Sequence, residues 1–303
     1  MANTSIEQGG HLPFSGRVAL VTGAGSGLGR AYALRLARQG ATVIVNNRIS
    51  AEWPNSAQMV VDTIVAAGGR AIADEHSVQY EDQAKAMVDL AYDEFGRLDV
   101  LICNAGVSGG GGLNEISTEA FAEIFDVSFY GALHPIRAAL QRMYDAGYGR
   151  IIGTTSSAGY FASPGTPAYA AAKSAMLGLF RALAGAAEPY GVKANLISPM
   201  AWSRMAEDVL DRKYAELLDP DHVAKVVSWL ASEACSINGE LLVAGGGQVY
   251  RATVVQSAGL PIGDGDIAPL WPELSNIANA RELAHGMETA MNLMAAFDAE
   301  NAG

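Results

Sequence analysis

Seven short aliphatic runs, separated by stretches of helical period, recur along the first 245 residues. They are RVALV (17–21), TVIV (42–45), RAIA (70–73), LDVLIC (98–103), RIIGTT (150–155), KANLIS (193–198) and ELLVAG (240–245). Helical patterns fill the intervals at about 28–40, 57–67, 82–95, 118–145, 167–186 and 221–231. Strands that are apolar on both faces need cover on both faces, and strands joined through helices run parallel. The expected architecture is α/β, a doubly wound sheet of seven parallel strands with its ligand site at the carboxyl ends of the strands. The pattern predicts an N-terminal tail (1–13), one domain (14–248) and a C-terminal extension (249–303). In that extension, 249–279 reads as irregular, with Pro261, Pro269 and Pro272, and 280–298 reads as one amphipathic helix. The extension is expected to pack on the same domain or on a partner subunit.

The 303 residues are half hydrophobic, enough for one large core. A net charge of −12 argues against a nucleic-acid partner or an anionic membrane surface. No apolar run has the length of a membrane span, and the first residues lack a signal-peptide core. Cys103 and Cys235 are the only cysteines, which suits a reducing compartment, and the expected location is cytoplasmic. His11, His76, His134, His222 and His285 lack metal-ligand spacing, so no metal is expected.

Between the first strand and helix lies TGAGSGLG (22–29), with Gly23, Gly25, Gly27 and Gly29. Such a loop lets backbone approach a pyrophosphate, while the helix N-terminus offers free N–H groups and a positive dipole end. Ser26, Leu28 and the glycines are therefore candidate cofactor ligands, in the strand–turn–helix context that the motif requires. An acid that reads the ribose 2′-hydroxyl is expected at the end of the second strand. Asn46, Asn47 and Arg48 stand there instead. Without a carboxylate a 2′-phosphate is not repelled, and Arg48 can attract it, so NADP(H) is favoured over NAD(H).

Tyr169 and Lys173 lie four apart on an alanine-rich helical segment, AYAAAKSAM. Residues so spaced share a helix face, with Cβ atoms ~5–6 Å apart. A phenol has a reference pKa of ~10, and a nearby ammonium favours its ionised form. Such a tyrosine can take a proton from an alcohol or return one to a ketone. Ser156, at the end of RIIGTTSS, can hydrogen-bond the reacting oxygen. Asn104, Ala105 and Gly106 end the neighbouring strand, where backbone can meet a ribose.

TGxxxGxG at 22–29, NAG at 104–106, Ser156 and Tyr169-xxx-Lys173 stand in the order and spacing of the short-chain dehydrogenase/reductase family, which the chain resembles over residues 14–248. The resemblance implies a Rossmann fold. It implies Tyr169 as acid/base, Lys173 as holder of the nicotinamide ribose and activator of Tyr169, and Ser156 as substrate-positioning group. It also implies cofactor contacts from the glycine loop and from Asn104, Ala105 and Gly106. Three positions depart from the family pattern. Ser128 stands where an Asn often supports a proton relay. His76, beside Ser77, stands where an Asp commonly touches adenine. Pro199-Met200 replaces Pro-Gly, and Ser203 is taken for the later nicotinamide-contacting hydroxyl.

GRVALVTGAGSGLGRAYAL, YGRIIGTTSSAG, SRM (203–205), VSWLASEAC and the extended C-terminus resemble one branch, the (3R)-hydroxyacyl-CoA dehydrogenase part of peroxisomal-type multifunctional β-oxidation enzymes. That branch usually carries an Asp where Asn47 sits and reads NAD. The expected substrate walls are 107–115, 157–168, 200–218 and parts of the C-terminal extension, with Tyr160, Phe161, Pro164, Met200, Trp202 and Met205. Apolar walls suit a hydrophobic small molecule, a 3-hydroxyacyl-CoA or a steroid-like alcohol. The alternatives are a ketoreductase for small cyclic or terpenoid ketones and a catalytically silent cofactor-binding relative. The helices at 118–145 and 167–186 resemble the family's dimer-forming pair, so a homodimer or homotetramer is expected.

Overall fold

The computed structural model describes residues 12–50, 54–161, 163–203, 211–262 and 265–301. His11, most of the 1–13 tail and Met205 lie outside the described residues. The seven expected strands are β1 (Val18–Val21), β2 (Thr42–Asn46), β3 (Arg70–Asp74), β4 (Val100–Cys103), β5 (Gly149–Thr154), β6 (Val192–Met200) and β7 (Leu241–Gly245). They pair in parallel in the order β3-β2-β1-β4-β5-β6-β7. Every residue of β1, β4 and β5 is buried, which explains why those runs show no alternation of polarity.

Helices cover both faces. On one, α1 (Gly27–Arg38), α2 (Ser56–Ala66) and α7 (Pro220–Ala231) share a core in which Tyr32, Leu36, Val60, Val223 and Leu230 meet Val21, Val43 and Ile102. On the other lie α3 (Glu81–Phe95), α5 (Gly131–Asp145) and α6 (Pro167–Ala187). Each fully buried aliphatic side chain contributes about 1.5–3 kcal/mol against leaving it in water. The chain winds outward from β1 to β3, then returns to place β4 on the other side of β1. That reversal opens a crevice at the carboxyl ends of β1 and β4, where open α/β sheets bind ligands.

Three expectations need correction. The sheet has eight strands, because β8 (Gln248–Ala252) adds to the edge beside β7. Gly246 and Gly247, with φ of 58° and 74°, form the two-residue turn that returns the chain, a conformation open mainly to glycine. The long helix over 118–145 is three pieces: α4 (Thr118–Phe125), a π-helical segment (Asp126–Tyr130) and α5. The C-terminal helix, α8, is Met287–Asn301 and not 280–298. Arg281 pairs instead with Gln256 in an antiparallel bridge, and Glu288 Oε1 accepts the N–H groups of Ala284 and His285 at 2.7 and 3.2 Å, which starts the helix there. The chain divides into a unit ending at Arg251 and a second unit, 252–303. The division falls at the end of β8, three residues beyond the expected boundary at 248.

Candidate active site

The glycine loop closes β1 onto α1. Gly27 has φ +52° with open space around its Cβ position, and the α1 N-terminus has no side-chain cap. Its first N–H groups are therefore free to take an anion. A Cβ on Gly29 would lie 2.3 Å from the Gly23 carbonyl oxygen, so only glycine permits this approach. This is a cradle of the shape that a pyrophosphate needs, and the residues present fit a dinucleotide.

Thr22 and Asn104 tie the cradle to the end of β4. The buried Thr22 Oγ1 accepts the N–H groups of Asn104 and Ala105 at 3.0 and 3.1 Å. Asn104 Nδ2 donates to the carbonyls of Thr22 and Gly23 at 3.0 and 3.2 Å. The Asn104 side chain thus braces the loop. Thr22 is a residue that motif reading passed over, although a hydroxyl at a strand end just before a glycine loop is the available signal.

At the end of β2, Asn47 Nδ2 donates to Ser56 Oγ at 2.7 Å and to the Arg48 carbonyl at 3.3 Å. Its Oδ1 is left as a neutral acceptor beside the loop. Arg48 is exposed, with a 3.5 Å contact to Gln79. Ser77 N–H is held by Gln83 Oε1 at 2.7 Å. His76 Nδ1 lies 2.7 Å from Asp74 Oδ1.

The chemical groups converge at the ends of β5 and β4. Ser156 follows β5 and caps a short turn, accepting Ala158 N–H at 3.3 Å. Its hydroxyl lies close enough to the Tyr169 phenol to favour the ionised form. Lys173, one turn along α6 from Tyr169, is buried, and its Nζ donates to the Thr154 carbonyl at 2.7 Å. Thr155 Oγ1 donates to the Lys173 carbonyl at 2.8 Å, pinning the helix to the strand end. Burial lowers the Lys173 pKa to about 8 and pushes the neighbouring Cys103 thiol up to about 12.

The expectation that Lys173 lowers the Tyr169 pKa is not met by the chain on its own. Burial raises the phenol, and the neighbouring Ser156 hydroxyl only partly offsets this. The Lys173 Nζ is 5.6 Å from the Tyr169 ring centroid, and burial disfavours its own charge.

Ser128 lies in the π-helical segment, buried, with Oγ donating to the Val107 carbonyl at 3.0 Å and accepting its N–H at 3.1 Å. Both capacities of the hydroxyl are engaged with backbone. A Cβ on Gly106 would be 3.2 Å from Lys173 Nζ and 3.6 Å from Ser128 Oγ, so Ser128 holds the loop after β4 against the lysine. Ser203 follows β6, and among the described residues no hydrogen bond joins it to the Tyr169 cluster. Of the expected walls, Phe161, Pro164 and Met200 are exposed. Tyr160 is turned to β6, donating to Ser198 Oγ at 2.8 Å. Among the described residues no cluster of metal ligands occurs, and no helix is long and apolar enough to cross a membrane.

The profile of the short chain dehydrogenase family matches residues 17–212. A short-chain type dehydrogenase/reductase of Mycobacterium tuberculosis is 37% identical over 274 residues, 88% of this chain and 96% of the relative. The solved full-length peroxisomal multifunctional enzyme type 2 of Drosophila melanogaster superposes with a TM-score of 0.80 at 30% identity, over 95% of this chain and 50% of that one. This chain thus spans about half the length of that multifunctional enzyme. A 7α-hydroxysteroid dehydrogenase, solved with NADH and 7-oxo glycochenodeoxycholic acid, gives a TM-score of 0.71 at 28% identity, over 78% of this chain and 96% of that one. With the glycine cradle, the Ser156–Tyr169 pair and the buried Lys173 in one crevice, these likenesses show that the chain belongs to the short-chain dehydrogenase/reductase family, oxidoreductases that act on alcohols.

Proposed function

We propose that the chain interconverts a secondary alcohol and a ketone on a hydrophobic substrate, a 3-hydroxyacyl-CoA or a steroid-like alcohol, with NADP(H) favoured and NAD(H) accommodated. The observation that carries the reading is Tyr169 one helical turn from Lys173, which is buried with its Nζ on the Thr154 carbonyl, with Ser156 following β5 beside them. The substrate class rests on the multifunctional enzyme and hydroxysteroid dehydrogenase likenesses and on the exposed apolar side chains of Phe161, five residues after Ser156, and Met200, at the end of β6. The cofactor preference rests on the absence of a carboxylate at the end of β2, where Asn47 and Arg48 stand. A cytoplasmic homodimer or homotetramer remains part of the proposal.

A bound nicotinamide supplies the two-electron acceptor or donor. Ser156 and Tyr169 hold the substrate oxygen, and Tyr169 takes its proton in oxidation and returns it in reduction. Lys173, fixed by the Thr154 carbonyl, presents a cation below the phenol when protonated and so favours the phenolate that oxidation requires.

The test follows nicotinamide absorbance with NAD⁺ and NADP⁺ in parallel, offering a racemic medium-chain 3-hydroxyacyl-CoA and, separately, a hydroxysteroid. Turnover that consumes half the racemate is expected if the acyl-CoA reading holds. Tyr169→Phe is expected to lose at least ~10²–10⁴-fold in kcat while still binding the dinucleotide. Unchanged turnover in that variant would refute the assigned role.

A further inference from the structure

The chemistry assigned to Ser156, Tyr169 and Lys173 leaves the buried hydroxyl between them, that of Thr155, without a part. Thr155 is 1% exposed and is the first residue past β5. Its backbone N–H still donates to the Ile197 carbonyl of β6 at 2.8 Å, so the residue is anchored to the sheet. Its Oγ1 reaches α6 instead and donates to the Lys173 carbonyl at 2.8 Å. A carbonyl inside a helix is already engaged by the N–H four residues on, but its oxygen has a second lone pair. Thr155 takes that lone pair. The turn that follows closes on the same peptide group, because a Cβ on Gly159 would stand 2.7 Å from the Lys173 carbonyl carbon and 2.8 Å from its oxygen.

Three consecutive residues thus meet one turn of α6. The Thr154 carbonyl accepts from Lys173 Nζ at 2.7 Å, Thr155 Oγ1 donates to the Lys173 carbonyl, and the Ser156 hydroxyl lies beside the Tyr169 phenol. The middle contact has the least freedom. Lys173 Nζ rides on a flexible four-carbon stem and can follow its acceptor. The Lys173 carbonyl is backbone, and it moves only if α6 moves. No neighbouring hydroxyl duplicates Thr155: Ser128 Oγ is engaged with both the N–H and the carbonyl of Val107, and Ser156 Oγ accepts Ala158 N–H.

We infer that Thr155 is a positioning residue for the proton chemistry: its hydroxyl sets the seat of α6 on the end of β5, and so the placing of Tyr169 and Lys173 against Ser156 and the Thr154 carbonyl. The inference rests on the catalytic reading proposed above. Thr155 touches no reacting atom and acts through the backbone of α6.

A crossed pair of substitutions in the full chain separates placing from packing. Thr155→Val keeps the shape and loses the hydroxyl, while Thr155→Ser keeps the hydroxyl and loses a buried methyl. Each is expected to lower Tm by about 2–4 °C, the effect of one hydrogen bond or one methyl. Kinetics are read well below both transitions, with NAD⁺ and NADP⁺ in parallel and a racemic medium-chain 3-hydroxyacyl-CoA or a hydroxysteroid as substrate. Thr155→Val is expected to lose about tenfold or more in kcat with KM within about twofold, since a misplacement of ~1 Å at a reacting centre costs on the order of 10²-fold. Thr155→Ser is expected to restore kcat to within about twofold of the unsubstituted protein, although it is no more stable than Thr155→Val. An unchanged kcat in Thr155→Val, or an equal loss in both variants, overturns the inference and leaves the catalytic reading in place. If Tyr169→Phe, run alongside, turns over as fast as the unsubstituted protein, the catalytic reading falls and the inference falls with it.

Discussion

Lys173 is an ammonium placed where water does not reach, and that placement has a thermodynamic consequence. Its pKa falls from 10.5 to about 8 on folding because burial disfavours the charge. A depressed folded value means that the unfolded chain binds more protons between the two values, so stability rises with pH across that window and is lost as pH falls through the folded value. Relative to Lys173→Met, the unfolding free energy of the unsubstituted protein is expected to rise by ~3 kcal/mol from pH ~8 to pH ~10.5, at ~1.4 kcal/mol per unit. Denaturant melts of both proteins across that range provide the check, and parallel curves would contradict the assignment. That Tyr169 and Lys173 share a helix face and that Ser156 follows a strand was legible in the sequence, because helix geometry and strand ends act locally; their roles came from the family resemblance. Two things were not. The upward shift of the Tyr169 phenol depends on burial, and the part played by Ser128 depends on Val107, twenty-one residues away along the chain.

At the scale of elements, the site depends on how closely the turn after β5 lies on α6. A Cβ on Gly159 would stand 2.7–2.9 Å from the Lys173 backbone and the Ser174 nitrogen. Neither of those atoms can yield without moving α6. Gly159→Ala is expected to destabilise by about 1–3 kcal/mol, the range of overpacking, and to lower kcat more than it raises KM by separating Ser156 from Tyr169. Thermal melts and steady-state kinetics read the two effects, and a wild-type kcat would show that the close approach is not needed for chemistry. The π-helical segment at Asp126–Tyr130 is a second such device. By placing Ser128 against the backbone of Val107, it settles the loop that carries Asn104 and Gly106. Helical periodicity predicted one helix there, since a single π turn leaves the apolar pattern nearly intact.

For the whole molecule, Asp99 joins the first and fourth strands at the end of the sheet remote from the site. It is 3% exposed and accepts Val18 N–H at 2.9 Å, Arg17 Nη1–H at 2.8 Å and Arg97 Nε–H at 2.8 Å. The arginine side chains are partly exposed, so the loss falls mainly on the buried Val18 N–H and on the acceptor at Asp99. Asp99→Asn is expected to cost about 1–3 kcal/mol in denaturant melts, the range for leaving buried hydrogen-bonding groups unsatisfied, with the kcat of the folded fraction unchanged. A loss of activity without a loss of stability would mean that the two ends of the sheet are coupled.

The strand–helix alternation determined the fold class, and the glycine loop and the Tyr–Ser–Lys spacing named the candidate centre, because each is a pattern of near neighbours that local geometry enforces. β8 was not legible in that way, since its exposed Val249 and Tyr250 lack the apolar run that marks the buried strands. The bracing of the cradle by Thr22 and Asn104, the pairing of Asp74 with His76 and the seat of Lys173 on the Thr154 carbonyl all join groups that the chain separates. Only the packing of parallel strands side by side brings their carboxyl ends, and with them these side chains, within hydrogen-bonding reach.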